Sequence, residues 1–113
     1  LSTKQIVFEH YSGAYNPSIM KNKEGYLMIF RYTPDPNYQW NVSYFGLVQL
    51  DENFDPIEEP VLLSPRWDPS KTLCQAEDAR LFNYKGHTLI IYNDNVDEPY
   101  DLSKGRDMFL VEL

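Results

Sequence analysis

Glu77 and Asp78 stand side by side at the head of an apolar run, AEDARLFNYKGHTLIIYN, with Arg80 two places further on. Paired charge at a strand start is costly unless something uses it. In a regular strand, side chains alternate between faces, so Asp78 and Arg80 point one way and Glu77 the other. An aspartic acid facing a walled cavity can deliver a proton to a leaving oxygen, which makes Asp78 a candidate general acid. The competing reading is structural: Arg80 bridges a carboxylate and ties two elements together.

Two more residues belong with this group. Asn16 opens NPSIM much as Asp78 opens DARLF, and Asn before Pro favours an extended or turn conformation. Arg31 ends the apolar run LMIFR, where a guanidinium needs a partner, either a carboxylate or a substrate hydroxyl. Other constellations carry less. Asn93, Asn95 and Asp97 are spaced like calcium ligands, but the turn glycine and terminal glutamate of such a loop are missing. His10, His87 and Cys74 lack zinc spacing, so no metal is expected. No glycine-rich phosphate loop or nucleophile elbow is present, and no organic cofactor is implied.

The elements that must position these residues are strands. YLMIFRYT (26–33), YFGLVQL (44–50), VLLSP (61–65), ARLFNY (79–84), HTLIIYN (87–93) and MFLVEL (108–113) are short, β-branched or aromatic, and bounded by Gly, Pro, Asn or Asp. No window sustains a helical apolar period, so the fold class is all-β with antiparallel hairpins at 18–32 and 79–93 turning at Gly25 and Gly86. A net charge of −7 offers no basic stripe for nucleic acid. No apolar window approaches the ~18 residues of a membrane-spanning helix. One cysteine excludes an internal disulfide framework and permits a reducing, cytoplasmic setting.

The chain also repeats. NPSIMKNKEGYLMIFRY resembles DARLFNYKGHTLIIYN at an offset of 62, and YFGLVQL resembles DMFLVEL at an offset of 63. A period of this size, covering about four strands, is that of β-propeller blades. Unit one runs from about 14 to 66 and unit two from about 75 to 113, the second lacking a fourth strand. Residues 1–113 are therefore expected to form one partial propeller domain, part of a longer protein. The apolar edge of MFLVEL invites self-association through strand pairing.

Taken together, Asn16-Pro17, Arg31, Leu63-Ser64-Pro65 and Glu77-Asp78-Ala79-Arg80 resemble, in order and spacing, the N-terminal part of five-bladed propeller glycosidases, closest to glycoside hydrolase family 130. The resemblance implies an inverting enzyme that cleaves β-mannosides or related oligosaccharides by hydrolysis or phosphorolysis, with inorganic phosphate as co-substrate in the latter case. It also implies that Asp78 is the proton donor and that Asn16 and Arg31 hold the sugar, with Glu77 and Arg80 beside them. The phosphate-binding residues of that family come from later blades, so the 113 residues alone are expected to be inactive. Ala79 stands where the family has proline. Two other functions compete: a non-catalytic sugar-binding module using Asn16, Arg31, Tyr15, Trp40 and Tyr44, or a structural piece that pairs through its edge.

Overall fold

A computed structural model describes residues 1–34, 43–63, 76–95 and 106–113. Among them there is no helix. Four strands, β1 (Ala14–Asn22), β2 (Gly25–Tyr32), β3 (Tyr44–Leu50) and β4 (Val61–Leu63), form one antiparallel sheet in sequential order. Three more, β5 (Glu77–Tyr84), β6 (His87–Asn95) and β7 (Arg106–Glu112), form a second. The protein is all-β, with two sheets of the size and order of about two blades. Trp40, Cys74, Asp97, Ser64 and Pro65 lie outside the described residues, as do the expected unit boundaries near 66 and 75.

Both expected hairpins are present, and their turns differ. Lys85 and Gly86 both have positive φ, 50° and 85°, the requirement of a two-residue turn whose twist matches the flanking strands. Asn83 Oδ1 accepts from the Gly86 N–H and closes this turn. In the first hairpin the turn residues are Lys23 and Glu24, and Gly25 is already the first residue of β2, at φ 137°. A Cβ on Gly25 would lie 2.4 Å from the Leu50 carbonyl oxygen. Glycine is needed there both for its positive φ and for the close approach of the β3 end, although the residue lies outside the two-residue turn.

Alternation along β2 and β3 sends two apolar stripes to opposite faces. Ile29 and Phe45 pack toward the second sheet, against Ala76, Ala79, Leu81, Ile90 and Tyr92. Phe45 meets Tyr92 edge-on at 5.3 Å between centroids. Met28, Phe30, Val48 and Leu50 face the other way and are covered by the N-terminal segment, whose Phe8 stacks on Phe30 at 4.9 Å. Lys4 anchors that segment to Asp55 at 2.6 Å, and Tyr11 Oη donates to the Pro60 carbonyl. Gly46, opposite Phe30, leaves the space that the Phe30 ring occupies.

The sheets repeat residue for residue. Asn22↔Gly25 corresponds to Tyr84↔His87, and Tyr15↔Arg31 to Glu77↔Asn93, all displaced by 62. Sheet one turns Met20, Leu27, Ile29, Phe45 and Leu47 toward sheet two. The same positions in sheet two include Phe82, Ile91, Met108 and Leu110, which are 38%, 39%, 79% and 61% exposed. Sheet two thus presents, open, the face that sheet one buries.

Candidate functional site

The site is built by a repeated irregularity. Between Tyr15 and Ser18 the register of β1 slips by one residue against β2, and between Glu77 and Arg80 β5 does the same against β6. The extra residue is a β-bulge, which bends a strand and re-aims a side chain. Asn16 and Asp78 sit at these bulges in left-handed backbone, at φ 51° and 55°. Asn and Asp tolerate that region better than other residues with a Cβ, which is a local reason for these two types at these positions. The next residue is Pro17 in one sheet and Ala79 in the other, and the two bulges have nearly the same φ. The left-handed turn at Asp78 therefore forms without a proline.

The bulges overturn the expected alternation around Asp78. Glu77 and Asp78 both join one polar cluster at the seam between the sheets, while Arg80 turns back, its Nη1 donating to the carbonyl of Ala79 at 2.9 Å. Among the described residues no ion pair includes Arg80. Bridging falls instead to Arg31, whose Nη2 donates to Glu77 Oε1 at 2.6 Å, and to Arg106, whose Nη2 lies 3.5 Å from Glu77 Oε2. The physical reason is the slip itself: beyond the inserted residue, the faces of β5 exchange.

Asp78 is exposed, with an amide near each carboxylate oxygen. Asn16 Nδ2 approaches Oδ1 at 3.5 Å, the outer limit of a hydrogen bond, and Asn93 Nδ2 donates to Oδ2 at 3.3 Å. Arg106 Nε donates to Asn93 Oδ1 at 2.6 Å. Arg31 is 13% exposed and runs beneath the Tyr15 ring, 5.2 Å from its centroid. The Tyr15 hydroxyl hydrogen-bonds Thr33 Oγ1 at 3.0 Å. The buried Arg31 Nε has no acceptor among the described residues. Two guanidinium and two carboxylate charges are balanced within a few ångströms.

Two further bonds hold β5 against sheet one. Ser18 Oγ accepts from the Leu81 N–H at 3.1 Å, and Ser43 Oγ donates to the Ala76 carbonyl at 2.8 Å. Asn16, Arg31, Glu77 and Asp78 therefore lie together, while Arg80 is turned away. Sequence reasoning missed Asn93 and Arg106. Asn93 is legible in the sequence only as the repeat partner of Arg31, while its spacing with Asn95 and Asp97 points instead to a calcium-like loop. Arg106 occupies the place of Ser43 one repeat later and carries no motif of its own.

Chemically, the cluster offers a carboxyl group, two amides and an aromatic face on a rigid seam. That set can hydrogen-bond neighbouring hydroxyls and move a proton at one oxygen. Among the described residues no group of His, Cys, Asp and Glu is arranged to hold a metal, and no helix is long and apolar enough to cross a membrane. A pocket of about 260 Å³ borders the N-terminal segment, lined by Ile6, Phe8, Tyr15, Pro17, Met28 and Phe30, and shares Tyr15 with the cluster. None of Asn16, Arg31, Glu77 or Asp78 lines it. A scan against protein-family models and searches of curated proteins and of solved structures find no match to this chain.

Proposed function

We propose that this chain carries part of the active site of an inverting glycosidase or glycoside phosphorylase, built on a five-bladed propeller of the family 130 type. The substrate is a β-mannoside or related oligosaccharide. The observation that carries the proposal is the approach of Asn16 to Asp78 where two equivalent bulged strands adjoin, with Arg31 bound to the neighbouring Glu77. Asp78 gives its proton to the glycosidic oxygen as the bond from that oxygen to the anomeric carbon breaks. In the same displacement, water or inorganic phosphate forms the new bond to that carbon from the opposite face of the ring. Asn16 holds a sugar hydroxyl, and Glu77 keeps Arg31 in place beside it. Groups that activate the attacking oxygen belong to further blades.

The test has two arms. Methyl β-D-mannoside titrated into the 113-residue chain should shift the side-chain amide signals of Asn16 and Asn93. In the complete propeller, Asp78→Asn should abolish cleavage while leaving sugar binding nearly intact, because the amide keeps the shape but has no acidic proton to give. Losing a general acid typically lowers the rate by about 10²–10⁴. Wild-type turnover in a folded Asp78→Asn variant would make Asp78 structural.

A second reading has its own support. Asp78 is exposed, and both of its oxygens already face amides, an arrangement equally suited to a non-catalytic sugar-binding module. Saturable mannoside binding by a complete propeller that cleaves nothing, in wild type and Asp78→Asn alike, would select it.

A further inference from the structure

We infer that Asn93 is the positioning residue for Asp78, and that Arg106 sets which way its amide faces. The inference rests on the proposed role of Asp78 and concerns residues to which the sequence assigned no part. An asparagine amide can turn over with almost no change in shape, exchanging a donor for an acceptor. Here one end is committed. Arg106 Nε donates to Asn93 Oδ1 at 2.6 Å, a short bond assisted by the guanidinium charge. Turning the amide would set its NH₂ against that N–H, donor against donor. The NH₂ must therefore face Asp78 Oδ2, where it donates at 3.3 Å.

The bond lengths show which partner does the holding. At 3.3 Å and 3.5 Å, neither amide contact to Asp78 is strong enough alone to keep an exposed carboxylate in one rotamer. The strong bond lies one step back, at Arg106. Arg106 is in turn drawn toward Glu77 Oε2 at 3.5 Å, and Arg31 fixes the other oxygen of the same carboxylate at 2.6 Å. A continuous path thus runs from the anchored Arg31–Glu77 pair through Arg106 and Asn93 to Asp78. Sheet one reaches Asp78 by a second path, through Asn16. Asp78 is consequently aimed from both sheets, and only its outward lone pairs remain for a ligand.

The test reads the rotamer of Asp78 directly, by three-bond Hα–Hβ couplings in the 113-residue chain, with no ligand required. In the wild type the two couplings should report one χ1 rotamer. In Asn93→Ala and in Arg106→Met they should collapse to averaged values, and Arg106→Lys should restore part of the difference. Backbone amide shifts of Ile29 and Phe45 serve as the check on folding; Arg106→Lys and Asn93→Ser provide milder changes if either variant unfolds. Affinity for methyl β-D-mannoside should fall about tenfold in Asn93→Ala, the equivalent of about 1.4 kcal/mol. Unchanged Asp78 couplings in folded Asn93→Ala and Arg106→Met would overturn the inference. Failure of the wild type to bind mannoside, with the couplings behaving as expected, would overturn the functional reading and leave the positioning role standing.

Discussion

Replacing Glu77 by alanine should destabilise the protein by about 2 kcal/mol, because that carboxylate joins the two sheets through Arg31. The magnitude comes from burial. Exposed ion pairs contribute about 0.2–1 kcal/mol, whereas removing one member of a fully buried pair costs about 3–5. Arg31 and Glu77 are 13% and 23% exposed at a separation of 2.6 Å, which places the pair between those limits. Alanine at 77 would also remove the carboxylate to which Arg31 Nη2 donates, when its buried Nε already lacks an acceptor among the described residues. For a chain of this size, about 2 kcal/mol lowers Tm by roughly 8 °C. The assay is thermal and urea unfolding of wild type, Glu77→Ala, Arg31→Met and the double variant. The cycle should give a coupling energy near 1–2 kcal/mol, with the double variant more stable than the sum of the singles predicts. A loss below about 0.5 kcal/mol in Glu77→Ala with no coupling would show that the pair is screened like a surface pair and does not hold the sheets together.

Other outcomes follow from the same geometry. Gly46→Ala should cost about 1–3 kcal/mol in urea unfolding, because the new Cβ would lie 2.1 Å from Phe30 Cζ and force the ring off Phe8. Gly25→Ala should be more damaging than Gly86→Ala, since a Cβ at 25 would lie 2.4 Å from the Leu50 carbonyl oxygen while one at 86 would meet nothing within 4 Å; equal losses would refute the close-approach account. Lys85→Asn should stabilise the second hairpin by about 0.5 kcal/mol, as asparagine tolerates the positive φ that lysine holds there. The open face of sheet two should drive concentration-dependent association, which light scattering would detect and Leu110→Lys should reduce.

How much of this was legible beforehand depended on range. Alternation and turn chemistry act over a few residues, and they sufficed for the strands, the Lys85-Gly86 turn and the all-β class. The 62-residue repeat also lay in the sequence, and with it the equivalence of Asn16 and Asp78. The bulges did not. One inserted residue is decided by which backbone hydrogen bonds the neighbouring strand can satisfy, and composition does not record that choice. Because the bulge exchanges faces, the strand rule pointed Arg80 toward Asp78 and Glu77 away. Folding turned Arg80 onto its own backbone and brought Glu77 to Arg31.

Local sequence thus determined the strands, their hairpin pairing and the kinds of residue that do chemistry at the strand starts. Tertiary structure alone decided which of them meet. Arg31, Glu77, Asn93 and Arg106 lie on four strands of two sheets, and nothing in their local surroundings marks them as partners. Pairing of β5, β6 and β7 gathers Glu77, Asn93 and Arg106 within one sheet, and burying Ile29 and Phe45 against Ile90 and Tyr92 sets Arg31 beside them. A few ångströms of sliding at that apolar seam would leave every strand intact and break the two contacts of the cluster that cross it, Arg31 with Glu77 and Asn16 with Asp78.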